Sequence, residues 1–447
     1  MSSKTSSGVA VRFFGGVEGD IGGNIVFFTK KKTGYFFDFG LELTKSRIKD
    51  RLGYTDEQIY QFELAPFLTP LRKELNEIRV FISHGHIDHW KALTILPKEL
   101  KRELVLYLPS YTYYSLRSPL KEYTSLIHMR VDCSNPKATA YSDDNIEVVA
   151  FPVDHSIPGA CCFILEVKDT NDTFLYTGDF RTHGSLSQVI NQQFWDYLQG
   201  TPIKAVICEG TEFGKPSERY CEAEVGNKVK EIVEANRDNI VFVVVSTIND
   251  LFRLHTLSRC GTEKLREPFI TDNFQQSIST LKAFMGEKNE AIVSLLESIN
   301  LRDLPNIPCI PSNGAQRINL LRQIKSNPSG YLIITTLRPL FKLLGDLGEA
   351  SRGGCCILSL SEFFEEAAGV RMTEVTSTLS EAGLIPFRAH SAGHAYSDEV
   401  AKMLRSLKSE KIFVMHSNYP EDFAKFLKAR GVGADIICPK RNQVYEF

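Results

Sequence analysis

The stretch His84-Gly85-His86-Ile87-Asp88-His89 constrains this chain more than any other. It follows directly on Val80-Phe81-Ile82, an apolar run that reads as a buried strand, so the cluster sits on the loop at that strand's carboxyl end. His84 and His86 are two apart and, in an extended loop, can face one centre. Asp88 and His89 lie one step further and can face a second centre beside it. Imidazole nitrogen with carboxylate oxygen is a ligand set suited to zinc, and also to manganese or iron. The plain alternative is a polar loop with scattered histidines. The chain has only 10 histidines in 447 residues, so three within six positions argue against that alternative.

The length calls for two domains or more, at roughly 100–200 residues each. The formal net charge of −2 supplies no global basic field, so any groove for nucleic acid must be local. Ten cysteines occur without C-x-x-C spacing, and the adjacent pairs Cys161-Cys162 and Cys355-Cys356 lie inside apolar runs, as buried core thiols do. Met1 to Gly8 is polar and lacks the apolar core of a secretion signal. No segment approaches the ~20 apolar residues that span a bilayer. The expectation is a cytoplasmic protein in a reducing compartment, with no membrane partner.

Taken in order, Val9 to Phe14 reads as a strand, followed by a glycine-rich turn from Gly15 to Asn24. That turn lacks the spacing of a phosphate-binding loop, and a tight hairpin is the preferred reading. Ile25–Thr29 and Tyr35–Phe39 pair across Lys30–Gly34 as a hairpin, and Leu41–Leu75 carries helical periodicity that would flank the site mouth. Trp90–Leu100 reads as a helix and Leu104–Leu108 as a strand. Tyr111, Tyr113 and Tyr114 form an aromatic patch better suited to packing than to stacking bases. His155 follows the strand Ile146–Val153, Asp179 follows the hairpin of Cys162–Val167 and Phe174–Thr177, and Glu209 ends another strand. By itself His155 fits a ligand and a packed histidine equally, and Asp179 reads as a turn residue. From about 213 to 385 apolar strands (Ile240–Val245, Tyr331–Thr335) alternate with helical stretches (Ala223–Ala235, Gln276–Met285, Glu290–Ile299), which suggests an inserted α/β unit with its own parallel sheet. Within it, Ser246 to Asn249 is a polar turn after a strand and Arg253 follows on a helix. Such a turn suits an oxyanion such as phosphate and suits an ordinary helix cap equally well. His390 and His394 flank a small-residue turn, and His416 ends the strand Ile412–Met415. Two helical segments, Ser397–Leu407 and Glu421–Ala429, read as an outer layer of the first domain.

The form H-x-H-x-D-H is the signature of the metallo-β-lactamase fold, and the order of the motifs resembles the β-CASP branch of that superfamily, to which ribonuclease J and the cleavage-and-polyadenylation endonucleases belong. The resemblance covers nearly the whole chain. His84, His86, Asp88 and His89 match the family's second motif, His155 its third and Asp179 its fourth. Glu209, His394 and His416 match the three motifs peculiar to the β-CASP branch. It is nearest to ribonuclease J at His390-x-x-Gly393-His394 and departs from it at Ala392, where that group carries serine. The serine–asparagine element of the insertion is only loosely matched by Ser246 to Arg253.

The resemblance implies an α/β fold, a four-layer αββα metallo-β-lactamase sandwich with an inserted α/β β-CASP domain. The domains would be 1–212, the insertion 213–385 and a returning segment 386–447, with the active site in the cleft between. It implies two divalent metal ions, zinc first and manganese second. One would take His84, His86 and His155, the other Asp88, His89 and His416, with Asp179 and a water bridging them. Asp38 would support the metal loop from behind. His394 would be the general acid for the leaving oxygen, oriented by Glu209. Substrate phosphate would meet His390, Ser391, Ser246, Asn249 and Arg253. His128 and His183 match no motif and read as surface or packing residues, and no role is assigned to His255.

The leading expectation is a metal-dependent ribonuclease with RNA as its partner, RNA being preferred over DNA because His416 occupies the third β-CASP motif. An Artemis-like DNA nuclease, a small-molecule metallo-hydrolase and a catalytically silent nucleic-acid-binding module are the alternatives. Exo or endo mode and oligomeric state stay open, a homodimer included.

Overall fold

The computed structural model describes residues 8–41, 53–129, 139–198, 200–215, 219–286, 296, 301–360 and 371–447. Two seven-stranded sheets face each other. The first runs Val444–Glu446, Val9–Gly15, Ile25–Lys30, Thr33–Phe37, Glu77–Phe81, Val105–Pro109, Ser125–Met129 from edge to edge. The second runs Asp435–Ile437, Lys408–Met415, Pro202–Glu209, Thr173–Tyr176, Cys161–Val167, Ile146–Pro152, Thr139–Ser142. Alternate residues along each strand face opposite layers. Val80 packs outward against helices while Phe81 joins the core between the sheets, and Ile412 and Phe413 divide in the same way. Because both faces are covered, the strands read as near-continuous apolar runs. Between the sheets Phe37 packs on Phe81, Phe163 and Tyr176 at ring separations of 5.3, 5.4 and 5.9 Å.

Helices cover both outer faces. Ile59, Tyr60, Leu64, Phe67, Leu68 and Leu71, from the helical run 56–74, lie on the first sheet. The periodicity read between 41 and 75 therefore builds an outer layer; none of its described residues lines the cleft detailed below. Residues 42–52 of that stretch lie outside the described residues. The helices Ser397–Ser406 and Pro420–Ala429 pack on the second sheet through Val400, Met403, Leu404, Phe423 and Leu427.

A third sheet has six strands, all parallel, in the order Cys309–Ile310, Glu267–Thr271, Tyr331–Thr335, Val241–Val245, Cys355–Ser359, Ile385–Arg388. Its alternate residues also divide between two apolar layers, Val241 and Val243 to one side, Phe242 and Val244 to the other. The helical stretch expected at Glu290–Ile299 lies outside the described residues apart from Leu296.

Three local readings change, and the packing expected of the tyrosine patch is what forms. Trp90–Leu100 is not one helix: a turn at Ile87–Trp90 runs into a 3-10 segment at Lys91–Ile95, and Pro97 starts a new helix at Lys98–Glu103. Proline disfavours helical backbone at the residue before it, which accounts for the break at Leu96. The hairpin turn is Lys31-Lys32 alone, since Lys30 pairs with Thr33. Gly16 to Asn24 is a long loop between antiparallel strands rather than a tight turn, and Asn24 reaches the site. Tyr111, Tyr113 and Tyr114 lie on the helix Ser110–Leu116 and are packed, Tyr113 stacked on His128 at 4.7 Å and Tyr111 and Tyr114 against Phe284.

The adjacent cysteines point to opposite faces of their strands, Cys161 between the sheets and Cys162 under the helices, and all four members of the two pairs are buried thiols. Burial pushes the Cys355 thiol up to about 12. No helix among the described residues is long and apolar enough to cross a membrane.

Candidate metal centre

Every candidate ligand sits just beyond the carboxyl end of a strand. The strand Glu77–Phe81 ends, and the loop after it presents His84 and His86, while Asp88 and His89 fall on the short helical turn Ile87–Trp90. His84 Nε2 and His155 Nε2 each lie 3.0 Å from His86 Nδ1. Guanidinium-free and carboxylate-poor, this trio aims nitrogen lone pairs at one point. Zinc–nitrogen bonds of ~2.0–2.1 Å at tetrahedral angles hold donor nitrogens roughly 3.3 Å apart, close to this spacing. In the second group His89 Nε2 lies 3.6 Å from Asp88 Oδ2, and His416 Nε2 lies 3.2 Å from the same oxygen. Asp179 stands between the groups: Oδ2 is 3.0 Å from His89 Nε2 and 3.8 Å from His84 Nε2, and Oδ1 is 3.4 Å from His416 Nδ1. Both groups, each with Asp179, offer ligand atoms within 4.8 Å of one another. The structure thus brings together all seven residues expected to hold metal.

The far nitrogens are tied down, as metal-binding imidazoles require. His84 Nδ1 meets Ser83 Oγ at 3.0 Å, His89 Nδ1 meets Asp38 Oδ2 at 2.6 Å, and His155 Nδ1 meets the Gly393 carbonyl. His416 Nδ1 lies 2.8 Å from Thr211 Oγ1, whose hydroxyl donates to Glu209. Asp38 is fully buried and accepts from Ser83 N, Ser83 Oγ and Tyr176 OH as well. Asp38 and His416 both adopt positive φ, 60° and 51°, a conformation that non-glycine residues seldom take outside sites that need it.

Electrostatics favours the same use. Burial pushes the first trio toward neutral imidazole, His86 down to about 4 and His84 and His155 well below the usual value. Burial also opposes ionisation of the carboxylates, but the neighbouring histidines outweigh it, holding Asp88 down at about 2 and Asp179 well below the ordinary range. Burial disfavours a charged His89 too, yet Asp179, Asp38 and Asp88 together raise it. Neutral imidazoles beside ionised carboxylates suit a dication, and an ion held there would displace the proton of His89.

His394 lies at the edge of this group, its Nδ1 2.7 Å from Glu209 Oε2 and 3.8 Å from Asp179 Oδ2. Glu209 Oε1 accepts from Phe180 N at 2.8 Å, so the carboxylate is fixed at both oxygens. Burial works against a charged His394, but Glu209 and Asp179 raise it to about 9. A dication bound at Asp179 would lower this value by direct repulsion.

The site opens on a cleft of about 350 Å³. Its walls come from the metal loop, from Thr211, Glu212 and Lys215, from Ser246, Thr247, Asn249 and Asp250 beyond the carboxyl end of a third-sheet strand, and from His390, Gly393 and His394. Clefts outside the carboxyl ends of parallel strands are where α/β sheets bind ligands. Three expected phosphate contacts, His390, Ser246 and Asn249, line it. Two do not. Arg253 is fully buried and its Nε and Nη2 are committed to Glu222 at 2.7 and 3.0 Å, so it is not a phosphate contact. Ser391 is 1% exposed and stands behind the wall. The helix Leu251–Glu263 is capped by Asp250, whose carboxylate accepts from Arg253 N; the ordinary cap is what forms there, with the chain's own anion in the place of phosphate. His183 stacks on Tyr396 and bonds to Glu399, and His255 lines a separate cavity with Ser258 and Arg259. Asn24, Thr211, Glu212, Lys215 and Asp250 were not singled out from sequence; Thr211, two residues past a strand-ending Glu209, carried the only usable hint.

Replacing Asp38 by alanine strips the acceptor from four buried partners. With each unsatisfied buried donor costing about 1–3 kcal/mol, the loss should reach several kcal/mol. A denaturant midpoint unchanged from wild type would contradict this.

Residues 55–194 match the family model described as a beta-lactamase superfamily domain. The fold is similar to a crystal structure of a protein of unknown function from Enterococcus faecalis V583, with a TM-score of 0.67 and 18% identity, covering 98% of this chain and 100% of that one. The motif order, the paired sheets and the buried histidine–aspartate groups agree with that match: residues 55–194 match a beta-lactamase superfamily domain, and the surrounding sheets support the metallo-β-lactamase fold.

Proposed function

We propose that this protein is a metal-dependent ribonuclease that hydrolyses RNA phosphodiester bonds. The observation that carries the reading is the His394–Glu209 pair placed beside Asp179, the residue shared by both ligand groups, on a cleft walled partly by the third sheet. A hydrolase of small activated esters has no need of a separate acid for its leaving group; a phosphodiesterase must protonate a 3′-oxygen. His394 Nδ1 gives its hydrogen bond to Glu209, which leaves Nε2 as the proton donor. Divalent ions, two per chain with zinc the first choice, would supply Lewis acidity and a water of lowered pKa when bound. His84, His86 and His155 would hold one, Asp88, His89 and His416 the other, and Asp179 would touch both. Asp38, Ser83 and Thr211 keep those ligands aimed. The third-sheet unit corresponds to the inserted β-CASP domain of such nucleases.

The RNA preference rests on His416, the residue type found in the RNA-acting relatives. The test is a pair of single-stranded RNA and DNA oligonucleotides of one sequence, incubated with zinc or manganese at one fixed salt concentration. RNA should be cut faster by at least ~10-fold, a difference of about 1.4 kcal/mol in barrier. Equal rates would move the assignment to a DNA nuclease of the Artemis type. In the same assay a 5′-monophosphate should give only a modest advantage over a 5′-hydroxyl, because Asp250 occupies the helix end where phosphate would otherwise dock.

A further inference from the structure

Behind the cleft wall lies a run of buried charges that metal binding and acid catalysis leave unused. Asp154, one residue before His155, accepts from Arg181 Nε at 3.0 Å; Arg181 lies two residues past Asp179. Arg181 Nη1 is 3.8 Å from Glu222 Oε2, and the same Glu222 carboxylate takes both arms of Arg253. All four side chains are at most 3% exposed. Arg253, on the first turn of Leu251–Glu263, also donates to Ser359 Oγ, to the Ser391 carbonyl at 3.1 Å and to His390 Nδ1 at 3.2 Å.

The last contact fixes a proton. A guanidinium has five donors and no acceptor, so the nitrogen it meets must offer a lone pair. A proton on Nδ1 would set two donors against each other across 3.2 Å. His390 Nε2 then carries the hydrogen; the atom is itself buried and has no hydrogen-bond partner among the described residues, while the ring it belongs to lines the cleft. Burial, and after it the charge of Arg253, disfavours a second proton on this ring. The Ser359 carbonyl beside the ring is a competing acceptor that would favour the opposite tautomer.

We propose that Arg253, held by Glu222, is a positioning residue that presents His390 to the cleft as a neutral Nε2–H donor for a non-bridging phosphate oxygen of the substrate. The third-sheet unit thereby sets a substrate contact on the returning segment. The substrate side of this assignment rests on the nuclease reading; the location of the proton does not.

The experiment has two arms on the full chain. In the first, ¹⁵N-histidine spectra of the wild type are assigned at position 390 by comparison with His390→Gln. His390 should be the Nε2–H tautomer, and Arg253→Lys, which loses the planar fork, should abolish that bias. An Nδ1–H tautomer in the wild type overturns the proposal. In the second arm, Arg253→Lys should raise KM for a single-stranded RNA oligonucleotide roughly 10–100-fold, the range for a hydrogen bond to a charged group, with kcat within about 3-fold. His390→Gln places an amide donor near the Nε2 position that needs no tautomer partner. In that background Arg253→Lys should add less than about 2-fold to KM. Full additivity of the two changes would mean that Arg253 does not act through His390 and would overturn the proposal. A chain with the expected tautomer that cuts no RNA supports the positioning role and refutes the nuclease reading.

Discussion

Asp179→Ala should abolish hydrolysis and empty both halves of the metal centre. Its two oxygens sit 3.0–3.8 Å from nitrogens of His84, His89, His416 and His394, so one truncation takes a ligand atom from each group at once. Loss of a residue that merely orients a ligand costs roughly 10–100-fold in metal affinity or activity. Loss of a shared ligand should exceed that range. The change also removes a negative charge that would attract a dication, and it leaves His89 and His394 less easily protonated, so the defect would lie in the lost ligand and not in added repulsion. Elemental analysis of the variant is the decisive measurement, with circular dichroism to show that it has folded. Full occupancy at both positions would mean that Asp179 bridges nothing, and its role as the shared ligand would fall.

His394→Ala should do the opposite: retain metal and cleave about 10²–10⁴-fold more slowly, the usual contribution of a positioned proton donor. The contrast matters because Asp179, Glu209, His394 and His416 also come within metal-holding distance as a group. If His394 were a ligand, its removal would lower the metal content. If it is the acid, metal stays and the defect should shrink on a substrate whose leaving group needs no proton, such as a nitrophenyl phosphodiester. A defect of equal size on both substrates would refute the acid role. Glu209→Gln should show a milder form of the same pattern, since the amide can still accept from His394 Nδ1 but no longer favours its charge.

Much of this site was legible before any coordinates, for a physical reason. Ligand chemistry admits few residue types, and each was displayed at a strand end, where an apolar run stops abruptly at a histidine or carboxylate. Asp179 and His416 are visible in that way, although Asp179 considered singly reads as a turn residue. What the sequence did not reveal was direction. Arg253 on the first turn of a helix reads as a free cation, and only the packing of the helix Glu222–Ala235 against it shows that its charge is already answered. Asp250 hid in a polar turn whose hydroxyls drew attention, while its own carboxylate took the helix end. The break at Leu96, by contrast, was readable from Pro97 and needed only a stricter weighing of that residue.

The second sheet places Lys408–Met415 beside Pro202–Glu209, and His416 meets Asp88 across 328 positions of sequence. A ribosome makes residues in order, so the nascent chain carries His84, His86, His155 and Asp179 long before His394 and His416 exist. Once Asp179 is made, and until His394 follows, the growing polypeptide holds every expected metal ligand but His416, and no acid. Closing it demands that the third-sheet unit be finished and the late strand be threaded beside one made some 200 residues earlier, a step of high contact order and therefore slow. On the proposed reading, the messenger being translated is spared until its product has been released and has closed on itself, an order of events that a circularly permuted chain beginning near residue 386 would reverse.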